Sequence, residues 1–401
     1  MRPKLMLQKI LSDCQGKIHG AHLNFLAVAV DALGRGAHLT CASLGRYLRT
    51  STTTKHNIKR VNYMLGSTCF QQTRESIYQT LGKLLVSAHA RPIIAVDWST
   101  TTPCRTFHIL RASLIVKSSG RALTLYEENH PEADLATNAV HARFMARLAR
   151  CLPDTCRPII LTDAGFKTPW FKLITCYGWD YIGRVRGRTY FRKLTDDDPW
   201  TPCNALYPKA TSRGKYLGCL ALTKKHAWPC HAYLVHKTLK GRKKKTLKGF
   251  DDAGSASRKI AKRQREPWLL VSSLPGSDTM LRNVIACYAK RMHIEEAFRD
   301  TKSTRYGMGL KYSRTQSAQR FDALLLIATL THLIMYLIGY HAAPEKVWQL
   351  QANTIRSRRV LSHVFVGLTL WAQNKVPRIS LPIKNLLHDL AIEANWAFDN
   401  L

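Results

Sequence analysis

The sequence predicts a mixed α/β fold that is interrupted by a mainly β insertion and flanked by helical N- and C-terminal regions. Three observations support this prediction. Apolar residues recur at helical spacing before residue 88, short apolar strand-like runs begin after Pro92, and helical spacing returns near residue 280. With 401 residues, 45% of them hydrophobic, the chain has the material for two to four domains of about 150 residues.

The first region, residues 20–87, has the pattern of about four short helices broken at glycines and threonines. Basic residues gather around a threonine-rich break at 51–54: Arg46, Arg49, Lys55, Lys59 and Arg60. This cluster suits a helical DNA-docking module, and it equally suits a solvated helix face. The sequence leaves both interpretations open.

The central region begins with a buried-strand pattern over residues 93–96 that ends at Asp97. Two further strand-like segments, 106–116 and 121–127, are joined by Ser-Ser-Gly, which is typical of a hairpin. After a helix, a second short apolar run ends at Asp163, and a helix and a strand follow it. Three strands in hairpin order followed by alternating helices and strands predict a mixed sheet.

Composition shifts divide the chain into five predicted ranges. They are a helical DNA-binding region (1–88), the first part of the core (89–186), the mainly β insertion (187–275), the second part of the core (276–340) and a helical C-terminal region with a possible role in dimerisation (341–401).

The charge balance points to a polyanionic partner. The chain carries 61 Lys and Arg against 26 Asp and Glu, a net charge of +35. Because such an excess repels itself, the phosphate backbone of nucleic acid is the first partner to consider and a membrane surface the second. The longest apolar run, 323–338, contains His332 and is shorter than a bilayer span, so it predicts a buried helix and no membrane partner.

The eleven cysteines are an odd number and include no C-x-x-C pair. They predict reduced, mostly buried thiols in a cytoplasmic protein, without a disulfide framework or a zinc ribbon. The sequence also lacks the usual zinc-hydrolase and phosphate-loop motifs.

Carboxylates are scarce, so Asp97 and Asp163 at the ends of apolar strands are candidates for chemistry. On a protein that binds phosphate they would repel the substrate unless a hard cation such as Mg²⁺ lay between. The alternative for each is an ordinary turn or N-cap residue.

A third acid is predicted on a helix over 288–302. Tyr288, Arg291, Glu295 and Lys302 fall on one stripe of that helix, next to an apolar stripe, whereas Glu296 points about 100° away. Glu295 would then lie between cations that can bind phosphates. A surface helix with i,i+4 ion pairs has the same spacing.

Three motifs in this order resemble the cut-and-paste DDE transposases of the insertion-sequence-four family, and most closely the transposon-ten branch. They are Val-Asp-Trp-Ser at 96–99, Leu-Thr-Asp-Ala-Gly-Phe at 161–166 and Tyr-x₂-Arg-x₃-Glu-x₆-Lys at 288–302. The resemblance runs through most of the chain.

This resemblance implies a ribonuclease-H-like core in which Asp97, Asp163 and Glu295 are catalytic and hold two Mg²⁺ ions, or Mn²⁺ in their place. It implies cleavage of transposon ends through a hairpin intermediate, then joining of the 3′-hydroxyl to target DNA by two-metal transesterification. The partners are double-stranded DNA, comprising terminal inverted repeats and target, and a second copy in a homodimeric synaptic complex. The expected location is the bacterial cytoplasm, associated with the nucleoid.

Further residues are expected to bind DNA. The resemblance assigns Tyr288, Arg291 and Lys302 to the phosphates of the transposon end, Met292 to a wedge beside it, and Trp268 of a Glu-Pro-Trp stretch to a flipped base. The basic loop residues Lys243, Lys244 and Lys245 are expected to add nonspecific affinity. Two alternative functions stay open, a non-catalytic transposase-derived repressor and a ribonuclease-H-like nuclease without strand transfer.

Overall fold

The computed structural model describes residues 2–14, 16, 18–86, 91–101, 106–117, 120–187, 189–194, 198–237, 254–255, 265–351, 355, 357–379 and 382–395. The chain forms two compact units, one of Met1–Pro158 with Arg291–Asn400 and one of Ile159–Lys290. The second unit therefore groups residues 159–186 with the insertion, whereas the sequence assigns them to the core. The five predicted domain ranges stay predictions.

The first unit opens with helices. They are α1 (Pro3–Ile10), α2 (Gly20–Gly34), α3 (Cys41–Tyr47), α4 (Thr54–Gly66) and α5 (Thr68–Leu85), with a 3₁₀ turn at Ser12–Cys14. Hydroxyl side chains define two of the starts, since Thr40 accepts a bond from Ser43 N and Ser67 from Phe70 N. The four helices predicted between residues 20 and 87 are confirmed.

Three antiparallel strands follow, in the order β3-β2-β1: β1 (Ile93–Thr100), β2 (Phe107–Ile115) and β3 (Ala122–Pro131). The predicted end of β1 at Asp97 is wrong. The strand continues three residues further because its pairing with β2 persists to Thr100, and Asp97 lies opposite Arg111. A 3₁₀ turn (Glu132–Asp134) and α6 (Asn138–Cys151) close this segment.

The second unit contains a sheet in the order β4-β5-β10-β9-β8-β6-β7. Its elements are β4 (Ile159–Thr162), α7 (Thr168–Cys176), β5 (Asp180–Val185), β6 (Tyr190–Lys193), β7 (Thr201–Pro202), a 3₁₀ helix (Cys203–Lys209), β8 (Lys215–Leu222), β9 (Trp228–Val235), β10 (Trp268–Ser272) and α8 (Asp278–Ala289). β4 and β5 are parallel and joined through α7, whereas the remaining neighbours are antiparallel. The mainly β character predicted for the insertion agrees with these strands.

The chain then returns to the first unit. Its last elements are α9 (Met292–Lys302), a 3₁₀ turn (Leu310–Tyr312), α10 (Ala318–His341), α11 (Trp348–Gln351), α12 (His363–Ala372) and α13 (Ile383–Asn395). The single helix predicted over 288–302 is wrong. Two turn residues, Lys290 and Arg291, separate α8 from α9, so Tyr288 lies on a different helix and in a different unit from Glu295.

Helix α10 is the centre of the first unit. It is apolar on all sides and long enough to cross a membrane, and 94% of its most apolar window is buried inside the protein. It crosses α12 at two glycines. A Cβ at Gly339 would lie 1.9 Å from the carbonyl oxygen of His363, and one at Gly367 would lie 1.8 Å from that of Met335. The prediction of a buried helix over 323–338 is confirmed, and both glycines are needed for the close crossing.

The ten cysteines in the part of the chain that the structure describes are free, and six of them are buried. The predicted reduced thiols agree with this arrangement. The mixed α/β fold class is confirmed as well.

Candidate active site

Asp97 lies in the second half of β1 with a largely buried side chain. Its Oδ1 accepts a hydrogen bond of 2.9 Å from the backbone N–H of Trp98, and its Oδ2 accepts one of 3.1 Å from Nη1 of Arg291. The strand backbone and the guanidinium thus fix both carboxylate oxygens.

Glu295 lies in the first turn of α9, one helical turn after Arg291. Nη2 of Arg291 donates to its Oε1, so a single guanidinium bridges Glu295 and Asp97. Two of the three predicted catalytic carboxylates are therefore brought together on one cation. The guanidinium lies between the two carboxylates, whose hard oxygen atoms are of the kind that a divalent cation such as Mg²⁺ prefers.

A cleft of about 530 Å³ opens in front of this pair and is lined by residues of β1, α9 and the segment after α9. Its walls carry Asp97, Ser99 and Glu295 together with the cations of Arg299, Lys302 and Lys311. Carboxylates beside several cations are suited to holding a phosphate next to metal ligands.

Lys302 ends α9 and points across the cleft to β1. Its Nζ donates to Oγ of Ser99 at 2.6 Å and to the carbonyl oxygen of Thr100 at 3.3 Å. Burial, and then the nearby positive charges of Arg111 and Lys311, lower the pKa of Lys302 to about 8. The ammonium group therefore has neutral partners, and an anion would stabilise its charged form.

Asp163 belongs to the second unit, where it directly follows β4 as predicted. Its Oδ1 accepts a bond of 2.7 Å from the N–H of Gly165, and a Cβ at Gly165 would lie 2.9 Å from that oxygen. One carboxylate oxygen of Asp163 thus has the local turn role that the sequence allowed. Among the residues that the structure describes, no group of three His, Cys, Asp or Glu is close enough to hold a metal ion. The role of Asp163 as third ligand stays a prediction.

Residues 89–331, more than half of the chain, match the family model of the transposase DDE domain. The chain belongs to this family. Its mixed α/β architecture is consistent with the ribonuclease-H-like core of a DDE transposase. No curated protein matches the chain.

Behind α9, the transposase domain contains a buried ion pair that the sequence analysis did not identify. Arg111 of β2 and Glu127 of β3 are 2% and 0% exposed, and Nη2 of Arg111 lies 2.7 Å from Oε2 of Glu127. The guanidinium also lies 4.4 Å from the ring centroid of Phe298 and donates to Oγ1 of Thr301 at 3.3 Å. Arg111 therefore connects β2, which pairs with β1 at Asp97, to α9, which contains Glu295.

Other elements complete the environment of Glu127. Its Oε1 accepts bonds from Thr329 of α10 at 2.6 Å and from Tyr78 of α5 at 3.4 Å. Nearby, Arg74 pairs with Asp322 at 2.9 Å, and burial raises the pKa of Asp322 to about 6. A signal existed in the sequence, since Arg111 lies among apolar residues of a predicted strand and Glu127 is one of few acids, but it did not identify them as partners.

Glu296 lies on another side of α9 from Glu295, as predicted. It pairs with Arg299 and lies 3.8 Å from Arg121, which also holds Asp300. The i,i+4 ion pair that the surface-helix interpretation predicts is Arg291 with Glu295, and it lies on the side of α9 that faces the cleft.

The remaining predicted DNA-binding residues are in different settings. In the second unit, Trp268 is half-buried, with the edge of Tyr288 at a centroid distance of 5.0 Å and Nζ of Lys237 at 5.1 Å from its ring. Tyr288 itself is only 4% exposed, so Trp268 shields the ring that was expected to contact phosphates.

In the first unit, Met292 is 40% exposed, as a wedge residue would need to be. Lys243, Lys244 and Lys245 lie outside the described residues.

Proposed function

We propose that this DDE transposase domain protein is a cut-and-paste transposase of the insertion-sequence-four family, in the transposon-ten branch. It binds the terminal inverted repeats of its element, cleaves them and joins the 3′-hydroxyl ends to target DNA. The observation that supports this most directly is the shared guanidinium of Arg291 between Asp97 and Glu295, beside Lys302 in an open cleft.

The proposed metal ligands are Asp97 and Glu295, with Asp163 as the third, for two Mg²⁺ ions or Mn²⁺ in their place. Bound ions of this kind lower the pKa of an attacking water and stabilise the leaving oxygen of an in-line displacement at phosphorus. The protein's own residues orient the DNA. Lys302 donates to Ser99 and to the carbonyl oxygen of Thr100, and it is positioned to hold the phosphate next to Asp97.

The hairpin step is assigned to Trp268. Its indole is half-buried and braced by Tyr288, and such a ring can receive an unstacked base for roughly 1–3 kcal/mol. We expect Trp268→Ala to retain the first nick and to slow hairpin formation, with partial rescue by a substrate that lacks the flipped base. Equal loss of nicking and hairpin formation, or a lower melting temperature, would instead assign Trp268 to the core.

The deciding experiment incubates the protein with the DNA that flanks its own gene, with Mg²⁺, with Mn²⁺ and with EDTA. Metal-dependent cleavage at the element's ends and covalent joining to a target plasmid are expected from the wild type and absent from Asp97→Asn. Cleavage without joined products would favour the nuclease alternative. Binding without cleavage would favour the repressor alternative.

We further propose that the protein acts as a homodimer in the synaptic complex and is located in the bacterial cytoplasm, associated with the nucleoid. The net charge of +35 and the free thiols support this location, and the helical region after residue 341 supplies a candidate dimer surface. Light scattering of the protein with and without end DNA tests the stoichiometry. One protein molecule per two joined ends would contradict the dimer.

A further inference from the structure

Trp98 follows Asp97 in β1, and the proposed function assigns it no role. Successive residues of a strand face opposite sides of its sheet, so the side chain of Asp97 faces α9 and that of Trp98 faces α6. Trp98 nevertheless contacts the carboxylate, because its backbone N–H donates to Oδ1 of Asp97 at 2.9 Å. A group that fixes Trp98 can therefore affect the orientation of Asp97.

The indole of Trp98 is anchored on His141 of α6. Nε1 of Trp98 donates to Nε2 of His141 at 3.1 Å, and His141 is 5% exposed. An indole N–H can only donate, so Nε2 of His141 must carry no proton in order to accept this bond. Burial, and then the positive charge of His130, lower the pKa of His141 to about 4. The imidazole of His141 is therefore neutral at neutral pH, as the bond requires.

A second imidazole packs against the same indole. The ring of His130 in β3 meets the ring of Trp98 in a T-shaped contact with a centroid distance of 5.6 Å. Nε2 of His130 lies 2.8 Å from Oε1 of the buried Glu128. The other oxygen of Glu128 accepts bonds from Tyr126 at 2.7 Å and from Arg147 at 2.6 Å. The support of the indole is thus itself held in a buried polar network.

The bond from Trp98 to Asp97 uses the carboxylate oxygen that Arg291 does not. Oδ2 of Asp97 accepts from Arg291, whose guanidinium also bonds to Glu295. A divalent cation on both carboxylates would compete with that guanidinium for the same oxygens. The bond from Trp98 N–H to Oδ1 is compatible with such a cation. Groups that orient a ligand from behind in this way typically change metal affinity or activity by roughly 10–100-fold.

We propose that His141 is a positioning residue for Asp97. It holds the indole of Trp98, and the backbone of Trp98 in turn holds Oδ1 of Asp97 in the orientation that a divalent cation requires. His130 supports the same indole through its ring. The proposal rests on the proposed function in that it takes Asp97 as a metal ligand. Both imidazoles act through Trp98, so neither is a catalytic residue.

The test breaks the bond between His141 and Trp98 from both ends. His141→Leu removes the acceptor, whereas Trp98→Phe removes the donor and keeps an aromatic ring. His141→Gln is the rescue variant, because its side-chain oxygen can accept a bond near the position of Nε2. The control is His363→Leu in α12, since His363 is 6% exposed and its Nδ1 lies 3.1 Å from the carbonyl oxygen of Gly339. Both histidines are thus buried and hydrogen-bonded, but only His141 contacts Trp98.

The measurement is the affinity of the full chain for Mn²⁺ without DNA, followed by the electron paramagnetic resonance signal of the free ion. We expect His141→Leu and Trp98→Phe each to weaken this affinity on the order of 10-fold. The double variant should weaken it no further, because both changes remove the same bond. His141→Gln should recover most of the affinity, and His363→Leu should keep the wild-type value. Circular dichroism establishes that each variant is folded at the temperature of the measurement.

Cleavage assays provide the second readout. At saturating DNA, His141→Leu should need a higher Mg²⁺ concentration for half-maximal cleavage, while its affinity for duplex DNA stays that of the wild type. A variant that is merely less stable would show neither change at a temperature where it is folded. His141→Gln should lower the Mg²⁺ requirement towards the wild-type value.

Wild-type Mn²⁺ affinity in either His141→Leu or Trp98→Phe would overturn the proposal, because each removes the same bond. An equal loss in His363→Leu would also overturn it, since general stability would then set the affinity. If one of the two variants does not fold, the other decides together with His141→Gln. Failure of the proposed function has a different signature: Asp97→Asn would bind Mn²⁺ as tightly as the wild type, which would remove Asp97 from the metal site and this proposal with it.

Discussion

The two sides of α9 use positive charge in opposite ways. Behind the helix, Arg111 is 2% exposed and neutralised by Glu127, with Phe298 and Thr301 against it. In front, Lys302 donates to two neutral oxygens of β1 and has a pKa lowered to about 8. The buried cation holds the helix in place, whereas the cation in the cleft is left for a ligand. Paired charge therefore indicates structure here, and incompletely paired charge indicates binding.

The largest expected effect concerns the carboxylates in front of α9. Asp97→Ala and Glu295→Ala should each reduce cleavage on the order of 10³-fold, the upper end of the cost of removing one group that stabilises charge in the transition state. DNA binding should change only a few-fold, because Lys302 and the basic surfaces remain. Plasmid cleavage and gel-shift assays measure the two effects separately.

The control for this prediction is Glu296→Ala on the adjacent side of the helix, where Glu296 pairs with Arg299. It should keep most of the wild-type cleavage. An inactive Glu296→Ala beside an active Glu295→Ala would show that the Glu295 and Glu296 sides of α9 have been assigned the wrong way round. The prediction for Asp163→Ala is the same loss of cleavage with intact binding.

The next effect tests the pairing behind α9. Glu127→Ala leaves Arg111 as an uncompensated buried charge, so we expect it to destabilise the protein by about 3–5 kcal/mol. Thermal unfolding followed by circular dichroism measures this loss. A double variant, Arg111→Met with Glu127→Leu, should recover much of it, because it removes both charges and keeps apolar volume.

A nearby acid provides the control. Glu132 follows β3 with a side chain that is 63% exposed, and it lies 3.5 Å from His108. Glu132→Ala should change stability by less than about 0.5 kcal/mol. Equal effects of Glu127→Ala and Glu132→Ala would remove the distinction between the buried pair and an ordinary surface pair.

A third effect has opposite signs for stability and function. The pKa of Lys302 is about 8 in the folded chain and about 10.4 in the unfolded chain, so the unfolded state binds more protons between these values. The stability of the wild type should therefore rise as pH increases from 8 to 10, and its penalty is fully present below pH 8. Lys302→Met should be more stable at pH 7, by about 1 kcal/mol after allowance for solvent screening, and should cleave poorly.

Unfolding curves of wild type and Lys302→Met across pH 7 to 10 check this prediction. The two stabilities should converge as pH rises, because the wild-type ammonium group loses its proton. A stability difference that is independent of pH would mean that Lys302 acts through packing against Phe298 alone.

The smallest effect is expected where a charge pair is exposed. Arg150 lies 2.6 Å from Glu75, with exposed side-chain fractions of 56% and 38%. Arg150→Gln should lower stability by no more than about 0.5 kcal/mol, and 0.5 M NaCl should abolish the difference. A loss near that of Glu127→Ala would show that pairing distance, not burial, governs these ion pairs.

Local patterns predicted much of this molecule. Asp97 was identified from an apolar strand, and Arg291 does lie between it and Glu295. Glu295 was identified from helical spacing, although that spacing crosses the break at Lys290 and Arg291. The helical and strand content of both units followed from periodicity. Helices and strands of this kind are set by residues that are close together in the chain, so the sequence pattern predicts them directly.

Other features depend on register and tertiary packing. The pairing of β1 with β2 extends the strand beyond Asp97 and places Arg111 opposite it, and no local pattern specifies that register. The break at Lys290 and Arg291 occurs within a stretch of uninterrupted helical spacing. Arg111 and Glu127 lie on different strands, so their ion pair could be identified only from the three-dimensional structure.

The crossing of α10 and α12 at Gly339 and Gly367 has a consequence for mutational scanning of this protein. Even alanine at either position would place a methyl group against a backbone carbonyl oxygen, and α12 cannot move away without disturbing a largely buried apolar helix. Variants at these glycines should disappear from soluble extracts, whereas variants at Glu295 should accumulate normally. The crossing therefore provides an internal standard by which loss of protein abundance is separated from loss of transposition in cells.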